Sequence, residues 1–231
     1  MNHYKRRKTI YEVIFKRPID FILSLIAIIL LSPVMLVVAI LVRTKLGSPI
    51  IFKQERPGKN GKPFNMYKFR SMTNQKDENG NLLPDEIRLT KFGKRLRSTS
   101  LDELPGLFNI LFGKMSIVGP RPHLIKDMWF MSEEENRRHL IRPGLTGLAQ
   151  VKGRNSINWD EKFKYDLDYL NKITFFKDLK IMFQTFFIVF KREGISNEGM
   201  ATHQPLGEYR FTRGEITKEE YEKIINTYNK K

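Results

Sequence analysis

Asp102 and Glu103 are neighbouring carboxylates in the stretch RSTSLDELP at residues 97–105, which opens with Arg97. Adjacent carboxylates beside an arginine can supply a nucleophile and a metal ligand for phosphoryl chemistry, in which positioning and charge neutralisation do most of the work. A plainer reading stands beside this one. Ser100 and Glu103 have the spacing of a helix capping box, and acidic residues favour the first turn of any helix. Pro105 weakens that reading, because a helix capped at Ser100 would place the proline where a backbone donor is needed. Two further segments, GPRP at 119–122 and RPGLTG at 142–147, each carry an arginine, Arg121 and Arg142, in backbone stiffened by proline. Such a setting holds a guanidinium ready for bidentate phosphate contact, although each segment alone also reads as an ordinary surface turn.

These residues need a scaffold, and the most distinctive part of it is apolar. Residues 21–42, FILSLIAIILLSPVMLVVAILV, form a run of 22 without a charge. At about 1.5 Å per helical residue, the run is long enough for a hydrocarbon core of about 30 Å. It has no polar stripe for a soluble helix and no cleavage site for a signal peptide. Lys16 and Arg17 precede it, Arg43 and Lys45 follow it, and the positive-inside rule then asks for both ends on the cytoplasmic side. Ser32-Pro33 lies mid-run, where proline deletes a backbone donor and serine can bond the carbonyl left behind. The economical reading is a helix-break-helix hairpin that enters one leaflet and returns; a proline-kinked single span is the alternative. Asp20, at the membrane edge, is expected to pair with Lys16 or Arg17 on the same helix face.

Beyond the run, residues 48–72 read as a β-hairpin around Pro57-Gly58 and Asn60-Gly61. Residues 74–85 read as a polar loop. Helical spacing recurs at 89–97, 104–111, 133–140 and 160–170, while 113–122 is expected to be irregular. Residues 175–190, FFKDLKIMFQTFFIVF, suit either a helix lying in the membrane interface or a core helix. A charged amphipathic stretch, 217–228, closes the chain.

Composition narrows the class. With 231 residues the chain has room for one domain plus a membrane element, and 41 Lys+Arg against 25 Asp+Glu give a formal charge of +16. That excess favours nucleic acid, phosphorylated ligands or an anionic membrane face without choosing among them. Absence of cysteine excludes disulfides and thiolate metal sites, and His3, His123, His139 and His203 are too scattered for a zinc pattern.

The segments KRPID at 16–20, SP at 32–33, YKFRSM at 67–72, LDELP at 101–105, LFN at 107–109, MSIVGPRP at 115–122 and RPGLTG at 142–147 jointly resemble the bacterial sugar transferases. More narrowly, the chain is similar to the small monotopic polyprenyl-phosphate phosphoglycosyl transferases typified by the diacetylbacillosamine-phosphate transferase of bacterial N-glycosylation. The resemblance runs from about residue 11 to 199. It implies an α/β (α+β) monotopic membrane protein with three parts: an N-terminal re-entrant membrane helix at 1–46, a cytoplasmic catalytic domain with interfacial helices at 47–199, and a polar extension at 200–231. It also implies residence at the cytoplasmic face of the bacterial inner membrane, among phospholipids, and dependence on Mg2+. The implied substrates are a UDP-sugar, expected to be N-acetylated as in UDP-N,N'-diacetylbacillosamine, and undecaprenyl phosphate, with no nucleic acid partner; a homo-oligomer is compatible with it. By motif position Asp102 is the nucleophile and Glu103 its partner near magnesium, with both as metal ligands. Arg97, Arg121, Arg142, Lys68 and Arg70 then face the donor's phosphates or nucleotide. Leu148, Lys114 and the stretch GMATH at 199–203 depart from the family pattern without touching the dyad, and leave the sugar open. Two rivals explain less: a membrane-anchored basic binding module, which leaves the dyad unused, and a phosphodiesterase for a lipid-linked substrate.

Overall fold

The computed structural model describes residues 6–153, 156–191 and 204–229, so His3, His203, the 199/200 boundary and the whole GMATH stretch lie outside the described residues. A π-helical turn, Tyr11–Phe15, leads into α1 (Lys16–Leu46). There follow β1 (Ile51–Pro57), β2 (Pro63–Phe69), α2 (Asp85–Arg88), α3 (Lys91–Ser98), a 3-10 turn (Leu101–Glu103) and α4 (Gly106–Leu111). Next come β3 (Ser116–Val118), α5 (Ile125–Met128), α6 (Glu133–Asn136), β4 (Gly144–Thr146) and α7 (Leu148–Lys152). The long α8 (Trp159–Asn171) and α9 (Phe175–Lys191) precede α10 (Leu206–Thr212) and α11 (Lys218–Asn229).

In α1 one face packs on the rest of the chain and the others do not. Ala27, Ile28 and Leu31 sit against Phe64, Leu107, Ile110 and Met115. Val38, Val42 and Leu46 form a second cluster with Phe69 and Leu96. Ile22, Ile26, Ile29, Leu30, Val37 and Ile40 remain exposed, and only 11% of the most apolar window of the helix is buried. A soluble protein rarely leaves so large an apolar face to water, whereas a bilayer requires it. The aromatic side of α9 follows suit. Phe175, Phe176, Phe183, Phe186 and Phe187 are exposed while Asp178 and Ile181 are buried, so α9 gives one face to the core and an aromatic face to its surroundings.

Two expectations about α1 are corrected. The helix-break-helix does not occur in the secondary structure: helix runs from Lys16 through Ser32-Pro33 to Leu46. The reason is local. Proline at 33 cannot donate to the carbonyl of Ile29, and the Ser32 hydroxyl donates to that same oxygen at 2.8 Å. Asp20, in turn, does not take its direct bonds from Lys16 or Arg17. It accepts from the Ser116 hydroxyl at 2.7 Å and from the Ile117 N–H at 3.1 Å. Lys16 pairs with Asp178 at the start of α9. Arg17 donates to the carbonyls of Ile110 and Leu111, at 2.8 and 2.7 Å, at the C-terminal end of α4, where a cation is favoured. A pair along one helix is worth only tenths of a kcal/mol, so charges that dock the helix to the domain are used across elements instead.

The hairpin forms as the turn residues indicate, with β1 and β2 antiparallel from the pair Ile51 and Phe69 to the pair Pro57 and Pro63. Asn60 and Gly61 both have positive φ, 58° and 72°. Residues 113–122, expected to be irregular, instead contain β3, which pairs in parallel with β4. Three-residue strands bounded by glycine and proline carry no readable period. The pair is possible because Gly119 and Gly144 touch backbone to backbone: a Cβ on Gly144 would lie 2.1 Å from the amide nitrogen of Gly119.

Behind β4 and α8, Ile141, Tyr169, Leu170, Ile173 and Ile181 form a core with Val118. At the far end α10 and α11 lay Tyr209, Tyr221 and Ile225 over Phe130, Trp159 and Phe163. His139 is buried, and among the described residues neither ring nitrogen has a hydrogen-bond partner. Burial, followed by the charge of Arg138, pushes its pKa from 6.5 down to about 3. The folded protein therefore refuses a proton that the unfolded chain accepts below pH 6.5, and stability falls as pH falls through that window, by about 1.4 kcal/mol per unit. At pH 5 the loss from this residue amounts to about 2 kcal/mol. Thermal unfolding of the purified protein should show His139→Phe losing less stability between pH 7 and pH 5 than the parent.

Candidate active site

The site is assembled by one side chain that imitates a strand. Asn109, buried on α4, accepts from the Tyr67 N–H at 2.9 Å and donates to the Asn65 carbonyl at 2.8 Å. Its amide thus satisfies the free edge of β2 and fixes α4, with the turn before it, against the strand that carries Lys68. Ser100 enters that turn in the left-handed region, φ 56° and ψ 13°, without a side-chain capping bond. The capping-box reading of Ser100 and Glu103 is therefore excluded. A non-glycine residue held there is strained, and such strain clusters at functional sites.

Glu103 turns to two cations instead. Its Oε1 accepts from Lys68 Nζ and from Arg121 Nη2, each at 2.8 Å. Burial pushes its carboxyl up, but Arg121 and Lys68 outweigh burial and hold it well below the usual carboxylate range. Asp102 is only 7% exposed, and its pKa is pushed up to about 6, first by burial and then by the charge of Glu103, against Lys68, Arg97 and Arg121. Two adjacent carboxyls thus have opposite environments, one clamped as an anion and one left without a clamp.

Of the five basic residues singled out in the sequence, Lys68, Arg97 and Arg121 converge on the dyad. Arg97, in the last turn of α3, donates through Nε to Ser71 Oγ at 2.9 Å while its charge acts on Asp102. Arg70 is placed elsewhere: it is buried and donates to the carbonyls of Met72 and Ser48, tying the exit of the hairpin to the end of α1. Arg142 donates through Nε to the Gly113 carbonyl at 2.8 Å, and its charge acts on Arg17 and Lys59. Among the described contacts, none joins Arg70 or Arg142 to the dyad.

Sequence reasoning passed over the second layer of cations. Arg56, at the end of β1, acts on Arg121 and Glu103 and has a buried Nε without a partner. Arg138 pairs with Asp166 at 2.6 Å and donates to the Arg121 carbonyl at 2.7 Å, so it holds the backbone from which Arg121 extends. Lys162 is pushed down to about 8 by burial and by Arg121. His123 packs at a tilt against Trp159, with ring centroids 4.5 Å apart, and burial among Arg138, Lys162, Arg121 and Arg56 keeps it uncharged. No spacing in the sequence links positions 56, 121, 138 and 162; only folding does. The resulting surface, a carboxylate dyad beside several cations, suits a substrate carrying more than one phosphate.

Comparison with known proteins agrees with this chemistry. The family model described as bacterial sugar transferase matches residues 11–192. The chain belongs to the bacterial sugar transferase family. The sugar transferase EpsL of Bacillus subtilis strain 168 is 47% identical over 200 residues, covering 87% of this chain and 96% of that one. The UDP-glucose:undecaprenyl-phosphate glucose-1-phosphate transferase of Klebsiella pneumoniae is 45% identical over 186 residues, 76% of this chain but 40% of its own length. The exopolysaccharide production protein PSS of Rhizobium leguminosarum bv. phaseoli is 39% identical over 188 residues, covering 75% and 94%. This sugar transferase therefore spans nearly all of two relatives and about two fifths of a longer one.

The left-handed turn residue gives a test of how the dyad is placed. Ser100→Gly should leave unfolding temperature unchanged or higher. Ser100→Val should cost about 1–2 kcal/mol, the penalty of a branched side chain in that region. Because the strain sits two residues before Asp102, catalytic turnover in the valine variant should fall by more than its stability does, compared at a temperature where both variants are folded.

Proposed function

We propose that this transferase moves a sugar 1-phosphate from a UDP-sugar to undecaprenyl phosphate, releasing UMP, through a covalent phospho-sugar ester on Asp102. The observation that carries the reading is the asymmetric dyad: Glu103 is clamped on Oε1 by Lys68 and Arg121, and Asp102 beside it is buried and unclamped. An oxygen of Asp102 attacks the β-phosphorus of the donor, the phosphoanhydride bond breaks, and its electron pair leaves with UMP. An oxygen of the lipid phosphate then attacks the same phosphorus, the ester to Asp102 breaks, and the carboxylate is restored. One hard displacement becomes two easier ones. Arg121 and Lys68 stand where charge on the pyrophosphate is offset, and Arg97 flanks the nucleophile.

The donor set also fits magnesium. The cation takes one or two carboxylates and completes its shell with waters and substrate phosphates. Asp102 and Glu103 Oε2, which takes neither the Lys68 nor the Arg121 bond, would hold it. When bound, it lowers the repulsion between an anionic nucleophile and an anionic phosphate.

The reaction named for the K. pneumoniae relative supports the substrate class. Relatives of Escherichia coli and Salmonella typhimurium are named for glucose and for galactose. An N-acetylated donor such as UDP-N,N'-diacetylbacillosamine rests on motif resemblance alone, and a panel of UDP-sugars assayed for UMP release separates these classes. A non-catalytic binding module has no use for the strained turn that positions Asp102.

We also read α1 as re-entrant at the cytoplasmic face of the membrane. Arg17, at its beginning, binds the end of α4, and Leu46, at its end, packs on Phe69 and Leu96 of the same domain. Because the domain packs along α1 from Arg17 through Ile28 to Leu46, a transmembrane span would draw the charged hairpin into the hydrocarbon core, about 30 Å thick. Because the chain has no native cysteine, single cysteines at Lys8 and Lys45 report topology cleanly. Both should resist an impermeant thiol reagent in intact cells, and labelling of one alone means a span.

Donor and magnesium without acceptor should leave a sugar-phosphate mass on the peptide containing Asp102 and release UMP in a single burst. Asp102→Asn should abolish both, with turnover reduced at least about a thousandfold, the scale expected for loss of a nucleophile. Substantial turnover in that variant would point to direct transfer.

A further inference from the structure

A groove of about 480 Å³, almost wholly apolar, opens between α1, the hairpin and α4. One wall is α1 just past the proline, with Met35, Leu36 and Ala39. The other comprises Pro105, Phe108 and Phe112, spaced so that they share the side of α4 opposite Leu107 and Ile110, which enter the core. Short helices usually bury one face; this one has a second apolar face turned outward. The groove also has a direction. Phe112 and Leu36 are 67% and 63% exposed, on the side where α1 displays its lipid-facing residues, whereas Phe69, at the other end, is 4% exposed. That inner end lies about one helical turn from the dyad, since Pro105 is three residues beyond Asp102; Lys68, next to Phe69 on β2, leaves the opposite face of the hairpin to reach Glu103. The charged residue on the wall, Lys53, is a cation, with its amine 5.9 Å from the Tyr67 ring.

From this placement we propose that the groove seats the first isoprene units of the polyprenyl phosphate acceptor. The inference rests on the reaction proposed above and deepens it by assigning the acceptor's site. An acceptor must present a phosphate at Asp102 while its tail stays in hydrocarbon. A channel walled by a membrane helix and reaching Pro105, one turn from Asp102, meets both demands, and Lys53 supplies the sign that a lipid phosphate requires. Aromatic, methionine and alanine side chains give flat, adaptable walls for a branched, unsaturated chain. The exposed phenylalanines of α9, by contrast, are not part of this groove.

The test uses the full-length protein in lipid nanodiscs and a polyprenyl phosphate bearing a diazirine in its first isoprene units. Crosslinks should fall on residues 35–39 and 105–112. Excess undecaprenyl phosphate should suppress them, and phosphatidylglycerol at the same mole fraction should not. In parallel, Phe112→Ala and Leu36→Trp, both at exposed positions that folding tolerates, should raise the acceptor KM roughly fivefold or more with the donor KM unchanged. Phe176→Ala, an equal loss of exposed aromatic surface on α9, should leave the acceptor KM unchanged. Crosslinks spread over the exposed face of α1 and over α9, equal competition by phosphatidylglycerol, or equal effects of all three variants would overturn the assignment. Crosslinking needs no turnover. Groove crosslinks in a protein that gives no donor-only UMP burst would defeat the covalent mechanism and leave the acceptor site standing; a burst with crosslinks elsewhere would do the reverse.

Discussion

Glu103 Oε1 is the point on which the site depends. A lysine from a hairpin and an arginine from a proline-stiffened segment meet there at 2.8 Å each, and three elements distant in sequence are fixed by one oxygen. A carboxylate is costly to bury unless paired, and this one is paired twice. Its neighbour inherits the consequence. Because both cations are committed to Glu103, Asp102 feels their charge without being bonded by either.

Docking of the membrane element follows the same logic at larger scale. Lys16, Arg17 and Asp20 each leave α1 for a partner in the body of the domain. Asp178 gathers Lys16 with the hydroxyls of Tyr11, at 2.9 Å, and Tyr169, at 2.7 Å, so that the membrane helix, α8 and α9 share one carboxylate. Anchor and domain are therefore one body, and the depth of the dyad relative to the bilayer is set by side-chain bonds.

The sequence made the long elements and the dyad readable, since apolar length, the Asn60-Gly61 turn and adjacent carboxylates are local signals. Lys68, Arg97 and Arg121 were identified by their motifs, and folding brings them together. Arg70 and Arg142 occur in equally distinctive motifs, yet Arg70 donates to the carbonyls of Met72 and Ser48, Arg142 donates through Nε to that of Gly113, and no described contact joins either to the dyad. A motif records that a residue matters in its surroundings; it does not say whether the partner is a ligand or a carbonyl. Arg56, Arg138 and Lys162 were invisible for the opposite reason, being ordinary charges until β1, the turn after α6 and α8 meet. The parallel pair of β3 and β4 was too short to show a period. The proline in α1 was read correctly as a place without a donor, but a serine next to it keeps the helix whole.

Asn109 occupies the edge of β2 with both ends of its amide. Peptide groups along a strand recur at about 3.3 Å and face alternate sides, so that edge offers an equivalent socket only at discrete steps. A helix held by packing alone can creep by fractions of an ångström; one held by a two-pronged plug in such a socket is either seated or out. The spacing between Asp102 and Lys68 is thus indexed, as a gear is by its teeth, and small deformations transmitted from the surrounding lipid have no intermediate position in which to leave the catalytic turn.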